Sequence, residues 1–128
     1  MSYTIDRVIE GADFEDVDKR TREALSTQGF GVLTEIDVKA TMKKKINKDM
    51  DDYRILGACN PNMAWEAMGL EPKVGSMLPC NVILRSVEGG VEVSAIDPLA
   101  SMAGIANDEL KSVAGQVRDM MQKVVDAV

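Results

Sequence analysis

The sequence contains no histidine, and this absence excludes a large part of known enzyme chemistry. Histidine is the commonest general base and the commonest metal ligand, so Ser-His-Asp and Cys-His arrangements are both ruled out. Any chemistry must use cysteine, a carboxylate, lysine or tyrosine, or depend on a cofactor. Because no glycine-rich phosphate loop follows a predicted strand, we expect no nucleotide cofactor, and nothing else in the sequence indicates one.

Cysteine is scarce as well, since Cys59 and Cys80 are the only two in 128 residues. Neither belongs to a Cys-x-x-Cys motif, and their spacing matches no zinc pattern, so the sequence predicts no metal site. The first residues lack the pattern of a positively charged segment followed by an apolar one that marks a secretory leader, and no apolar run approaches the ~20 residues of a membrane span. We therefore expect a cytoplasmic protein whose two thiols are reduced.

The charge balance is acidic, with 15 basic and 21 acidic residues and a net charge of -6. Such a chain repels phosphate backbones and anionic lipids, so we expect neither nucleic acid nor a membrane as partner. One basic cluster stands out, formed by Lys43, Lys44, Lys45 and Lys48. Because Asp49, Asp51 and Asp52 follow it directly, the pattern favours a solvated helix face over an anion site.

Hydrophobic periodicity predicts one domain over residues 1–128, with the element order βαβαβαββα. The expected fold class is α+β, a two-layer domain with helices packed on one face of a mostly antiparallel sheet. Asp13, Asn60 and Asn107 or Asp108 are placed as helix N-caps. Glu88-Gly89-Gly90 is the predicted turn of a β-hairpin spanning residues 82–96.

The second strand gives the clearest alternation. Phe30, Val32, Ile36 and Val38 point one way, and Glu35, Asp37 and Lys39 point the other. We therefore expect one buried face and one solvated face on this strand.

Three segments together closely resemble the bacterial and archaeal family called domain of unknown function 302. They are YRILGACNP at 53–61, LPCNV at 78–82, and a hairpin that ends in Asp97-Pro98. The resemblance implies a compact α+β domain that pairs as a homodimer, with no assigned activity, and it carries both cysteines over. Met77 departs from the more usual aliphatic residue at that position.

Both cysteines stand at predicted strand ends, Cys59 closing the third strand and Cys80 opening the fourth. If these strands are antiparallel neighbours, we expect both thiols at one rim of the sheet, with sulfurs within roughly 8 Å. Cys59 also precedes a helix start, whose partial positive charge favours a thiolate. Asn60, Asn81 and Trp65 complete the site as candidate ligand-binding residues.

Three functions are compatible with this rim. The first is a homodimeric domain that binds a small molecule near Cys59 and Cys80. The second is a redox or sulfur-handling enzyme with Cys59 as nucleophile and Cys80 as resolving thiol. The third is a structural or partner-binding module.

Two other interpretations of the rim stay open. Both cysteines can be small buried hydrophobes, with Asn60 and Asn81 only satisfying backbone groups. A soft-metal site can instead combine the thiols with nearby thioethers. The methionines in question are Met63, Met68 and Met77.

The hairpin over residues 82–96 carries apolar residues on both faces, including Ile83 and Ile96. A single helical layer would leave part of this surface in water. We therefore predict a two-fold homodimer that uses either this hairpin or the short helix bearing Trp65.

Overall fold

The computed structural model describes residues 2–128, and its centre is one five-stranded sheet with the order β1-β5-β4-β3-β2. Every neighbouring pair of strands is antiparallel. The predicted fold class and element order are confirmed. The elements in chain order are β1 (Thr4–Glu10), α1 (Phe14–Thr27), β2 (Gly31–Asp37), α2 (Val38–Ile46), β3 (Tyr53–Cys59), α3 (Pro61–Leu70), a 3-10 helix (Pro72–Met77), β4 (Cys80–Val87), β5 (Gly90–Ile96), the short α4 (Pro98–Ser101) and α5 (Asp108–Ala127).

The helix starts follow the capping residues that the sequence predicts. The Asp13 carboxylate accepts a hydrogen bond from the Asp16 amide, and the Asn60 side chain accepts one from the Met63 amide. Asn107, rather than Asp108, caps α5. These polar side chains satisfy amides that have no partner within their own helices, which is why the chain changes from extended to helical there.

Helices α1 and α5 cover one face of the sheet and form the main core with it. Leu84 and Val93 pair across β4 and β5, and both are fully buried beneath the helices. From α5, Val117 and Val124 reach the same core, as their three-four spacing predicts. The opposite face of the sheet carries no second helical layer from α1 or α5.

The prediction of one buried face on β2 is wrong. Phe30, just before the strand, is buried, but no residue of β2 itself is, and Ile36 is 47% exposed. The register shifts between Val32 and Thr34, so Leu33 is an extra residue that reverses the alternation after it. Glu35 then lies opposite Leu56 on the helical side, where a regular strand would have placed an apolar residue.

A second, smaller core lies beside the main one, under α3 and α4. It joins Ala67 and Val74 to Met102 and Leu110, and Met63 and Leu78 pack against both cores. The rim of the sheet where β3 ends and β4 begins therefore faces the seam between two apolar clusters. Within residues 2–128, no helix is long and apolar enough to cross a membrane.

Candidate functional site at the sheet rim

The end of β3 and the start of β4 meet at one rim of the sheet. Ala58 pairs with Cys80, and Cys59 is the last residue of β3. Cys59 also pairs with Gly31 at the start of β2, and Asn60 follows as the cap of α3. Three of the residues predicted for the site, Cys59, Asn60 and Cys80, are therefore neighbours at this rim.

A glycine shapes the approach to β4. A Cβ built on Gly57 would overlap the Thr34 hydroxyl oxygen and lie 2.8 Å from Cγ of Pro79. Only a residue without a side chain lets Thr34 and the Pro79 ring come this close to the strand. Gly57 thereby fixes the position at which the chain enters β4 and the position of Cys80.

Both polar atoms of the Asn60 side chain form hydrogen bonds within the fold. Its Oδ1 accepts from the Met63 amide at 3.3 Å, and its Nδ2 donates to the Gln28 carbonyl at 3.1 Å. The same Nδ2 lies 3.8 Å from the Met120 sulfur. Asn60 therefore ties the start of α3 to the end of α1 and to α5, and these contacts support the structural interpretation of this residue.

A small apolar pocket, the rim pocket, opens between the rim, α3 and α5. The space open to the centre of a water-sized sphere is about 30 Å³, which is room for about two water molecules. Asn60 is the one side chain in its wall with an amide, and both cysteines are among the wall residues. The wall is formed by Phe30, Ala58, Cys59, Asn60, Met63, Ala64, Ala67, Leu78, Pro79, Cys80, Pro98, Met102, Leu110, Val113, Ala114 and Val117.

The structure does not show the predicted cysteine pair. Both cysteines are free thiols and are not close, although both contribute to the wall of the rim pocket. Cys80 shares a face with its partner Ala58, whereas Cys59 follows Ala58, so its side chain leaves from the other face. Hypotheses that need both sulfurs at one point, the dithiol and the two-cysteine metal site, thereby lose their support.

The Cys80 thiol is held in its neutral form. It is buried, and this burial raises its pKa to about 11, with a smaller electrostatic contribution from Cys59 in the same direction. A neutral, buried thiol is a weak nucleophile and a poor metal ligand. Cys80 therefore behaves as part of the apolar wall at neutral pH.

Asn81 and Trp65 lie away from the rim pocket. Asn81 pairs with Gly57 on the sheet face that lacks helices, and Trp65 is 79% exposed on α3. Asn81 instead belongs to a wide groove of about 590 Å³ on that open face. The groove is polar and charged, and within it Nε of Arg85 lies 2.7 Å from Oε1 of Glu92. Its lining residues are Tyr3, Thr4, Asp6, Tyr53, Asn81, Ile83, Arg85, Glu92, Ser94 and Ile96.

The methionines of the soft-metal hypothesis also separate. Met63 lines the rim pocket, but Met68 and Met77 are exposed. Within residues 2–128, no three His, Cys, Asp or Glu side chains converge as a metal site would require. The rim pocket thus offers thioethers and thiols as apolar surface.

A charge network that was not predicted from the sequence connects α1 with the sheet. The Arg54 guanidinium is 5.0 Å from the Phe14 ring centroid and donates to Asp18 at 2.9 Å. It also forms two hydrogen bonds to the Glu15 carboxylate, at 3.1 and 2.9 Å. Its Nε is buried without an aligned acceptor, although Oε1 of Glu35 is 3.3 Å away.

Asp18 connects this network to a second arginine. Nε of Arg22 lies 2.7 Å from Oδ1 of Asp18, while Nη2 of Arg22 reaches Glu35 at 3.1 Å. Burial acts to raise the pKa of Asp18, but hydrogen bonds from Arg22 and Arg54 outweigh it and leave the pKa below its usual value. The four-residue spacing of Asp18 and Arg22 was readable in the sequence, but the bulge that brings in Glu35 was not.

A two-layer α+β domain with an antiparallel five-stranded sheet is the class that these features define. The model of the family described as "Domain of unknown function DUF302" matches residues 6–128, so the chain belongs to this family. The resemblance of the segments around the two cysteines is thereby confirmed.

A solved structure shows the same fold. It is the crystal structure of an uncharacterized conserved DUF302 protein from Bacillus stearothermophilus, with a TM-score of 0.93 and 21% sequence identity. The alignment covers 99% of this chain and 98% of that chain. No curated protein matches.

Proposed function

We propose that this protein binds a small apolar molecule, or a small apolar group of a larger one, in the rim pocket. The observation that carries this proposal is the wall itself, which is apolar on the sheet, α3 and α5 sides alike. Its single amide, that of Asn60, is already hydrogen-bonded to Gln28 and Met63. Such a wall selects a ligand by shape and by apolar contact, because binding removes apolar surface from water.

The size of the pocket limits the ligand. A volume of about 30 Å³ admits a few heavy atoms, so a larger ligand would insert only one end unless α3 moves away from α5. The neutral Cys80 thiol fits this role as a soft, polarisable contact. We place the protein in the cytoplasm, where its free thiols stay reduced.

Dissolved xenon is a suitable probe because it occupies dry apolar cavities. With methyl-labelled methionine, the NMR signals of Met63 and Met102 should shift with xenon pressure, since both side chains line the rim pocket. Met68 and Met77 are exposed and serve as controls in the same spectrum. Shifts confined to these controls, or no shifts at all, would contradict the proposal.

Two variants change the pocket in opposite directions. Ala67→Leu adds side-chain volume to the wall and should abolish the xenon shifts, whereas Cys80→Ala removes a sulfur and should increase them. If Ala67→Leu does not fold, the Cys80→Ala comparison still decides, because unchanged xenon uptake in an enlarged pocket is incompatible with binding there.

We also propose that the protein is a homodimer. This proposal is supported by the exposed apolar side chains, because isolated domains rarely leave many large ones in water. None of them lies on β4 or β5, so the helix bearing Trp65 is favoured over the hairpin. They are Tyr3, Val8, Leu33, Ile36, Met42, Ile46, Trp65, Met68, Met77 and Leu99.

Equilibrium sedimentation tests the dimer directly. An obligate interface should keep the wild-type chain dimeric at ~100 μM, and a monomer at that concentration would contradict the proposal. Ile83→Lys on the hairpin separates the two candidate surfaces. A variant that becomes a folded monomer would place the interface on the hairpin, and one that stays dimeric favours the Trp65 helix.

A further inference from the structure

One edge of the molecule has no covering layer. It consists of β2, α2 and the exposed face of α3, and is here termed the β2 margin. Not one residue from 31 to 46 is buried. Leu33 and Ile36 on β2 and Met42 and Ile46 on α2 all expose large apolar side chains. An entire strand and helix without a buried residue are poorly stabilised by the rest of the chain, because helical stability in proteins comes mostly from packing.

Helix α2 combines this apolar surface with positive charge. At 100° per residue, Met42 and Ile46 form one stripe that Lys45 flanks, and Lys44 lies on the opposite side. Residues 38–48 contain five lysines and no acid. Lys39 and Lys43 have carboxylate partners in Asp52 and Asp49. Across residues 2–128, no salt bridge involves the others, Lys44, Lys45 and Lys48.

Helix α3 combines an exposed apolar surface with negative charge, in contrast to α2. Trp65 is at the centre of its exposed face, with Met68 beside it. The only charged residue of the helix is Glu66, and Glu71 follows its last turn. Neither glutamate takes part in a salt bridge within the described chain. The β2 margin therefore carries an apolar-basic surface on α2 and an apolar-acidic surface on α3.

The two surfaces stand at opposite ends of β2. Helix α2 starts at Asp37, where β2 ends, and α3 starts after Cys59, which pairs with Gly31 at the beginning of β2. Seven residues of strand separate these ends, about 20 Å. A two-fold axis perpendicular to β2 at its middle exchanges the ends, so α2 of one copy would meet α3 of the other.

We propose that a second copy of this chain covers the β2 margin, with α2 of each copy docked on the Trp65 face of the other copy's α3. This inference rests on the proposed dimer and specifies its surface. The contact is self-complementary, as a two-fold interface requires, because each copy contributes both a basic and an acidic surface. Placing α2 against α2 would instead bring ten lysines together, which like-charge repulsion disfavours.

The lone tryptophan reports on this interface. Since Trp65 is the only tryptophan and is exposed in the single chain, its emission should move to shorter wavelength as concentration increases and the indole leaves water. Sedimentation on the same samples gives the oligomeric state. A dimer whose Trp65 emission is the same as that of the dissociated chain would overturn this inference and leave the proposed dimer intact. A monomer would overturn both.

Charge exchange tests the pairing of α2 with α3. Lys45→Glu with Lys48→Glu reverses two charges of the α2 surface, so that acids there meet the acidic surface of α3, and Glu66→Lys with Glu71→Lys makes the α3 surface basic like that of α2. Each double variant alone should dimerise at least about tenfold more weakly. An equimolar mixture of the two should restore wild-type affinity, because every contact across the axis is then between opposite charges. If mixing does not restore dimers, α2 does not face α3.

Lys44→Glu is the matched control, since it also changes the charge of α2 but lies on the side opposite the apolar stripe. It should dimerise like the wild type, and a loss equal to that of Lys45→Glu with Lys48→Glu would indicate a non-specific charge effect. Vesicles of anionic lipid test another occupant. A Trp65 blue shift that requires vesicles and not protein concentration would assign the margin to a membrane surface and contradict the inference.

Discussion

At the scale of single residues, burial decides what the two cysteines can do. Cys80 is 8% exposed, and burial raises its pKa to about 11, so it remains a neutral thiol through the physiological range. Cys59 is half-buried and leaves the sheet from the other face. The rim therefore holds two independent thiols.

Alkylation rates measured by mass spectrometry at several pH values test this difference. Cys80 should react with iodoacetamide much more slowly than Cys59, because it is both less accessible and protonated up to about pH 11. The Cys80 rate should increase only at alkaline pH. A fast reaction of Cys80 with an apparent pKa well below ~8.5 would instead favour the thiol-enzyme hypothesis.

Asp18 provides a pH-dependent contribution to stability. Because its pKa is below the usual value of 3.8, its contribution is present above that pH and is lost as pH falls through the lower value in the folded state. Asp18→Asn should reduce the free energy of unfolding by about 1.5–3 kcal/mol at pH 7, as expected for a buried charged hydrogen bond.

Urea denaturation at pH 7 and at several pH values below 3.8 checks this prediction. The difference between wild type and Asp18→Asn should shrink as the pH is lowered and the wild-type carboxylate becomes protonated. Asp16→Asn is the control, since its exposed carboxylate forms only a 3.6 Å surface pair with Arg20. Equal losses for both variants would contradict the role given to the network.

At the scale of elements, close contacts between β2, β3 and the entry to β4 depend on Gly57. Gly57→Ala should lower the free energy of unfolding by about 1–3 kcal/mol, because its Cβ would overlap Thr34 and Pro79. Gly69→Ala in α3 is the matched control, with nothing within 4 Å of the added Cβ. It should be neutral or stabilising by up to about 1 kcal/mol. Thermal unfolding of both variants tests these two expected changes in the free energy of unfolding.

The sequence predicts a structural feature correctly when that feature depends on residues that are close together in the chain. The caps Asp13, Asn60 and Asn107 are local, because each side chain accepts from an amide three residues further on, and the sequence predicted the first two, with Asn107 as one of two alternatives for the third. The orientation of β2 was not predicted, because one bulged residue, Leu33, inverts the pattern without any special residue type.

The rim shows the same limit for the site. Adjacent strand ends predicted that Cys59 and Cys80 share a rim, and the register of Ala58 with Cys80 agrees. That the side chains leave from different faces follows from a pairing offset of one residue, which no local pattern encodes. Likewise, Arg54 meets Asp18 only after α1 packs on the sheet.

At the scale of the whole molecule, charge is segregated more strongly than the net value of -6 suggests. Five of the 15 basic residues lie between Lys39 and Lys48. The rest of the chain is therefore more acidic than the net charge of the whole chain indicates. If the β2 margin forms the dimer, added salt should weaken it.

Sedimentation between 50 mM and 500 mM NaCl tests this expectation. The Debye length falls from about 14 to about 4 Å over that range, so exposed lysine-glutamate contacts are largely screened at the upper end. The dissociation constant should therefore increase with salt in the wild type and decrease for the double variant Lys45→Glu with Lys48→Glu, in which acids meet acids across the axis. A wild-type dimer that salt strengthens would indicate an interface without opposed charges.

The rim pocket is the centre of the functional proposal, and diffraction from crystals pressurised with xenon tests it most directly. If xenon binds in the rim pocket, a strong peak should lie between Met63, Cys80 and Val113, in the space of about 30 Å³ that these side chains help enclose. Replacing Cys80 with alanine should increase its occupancy. A pocket that stays empty in both proteins, while xenon binds elsewhere in the same crystals, would contradict the proposed binding site.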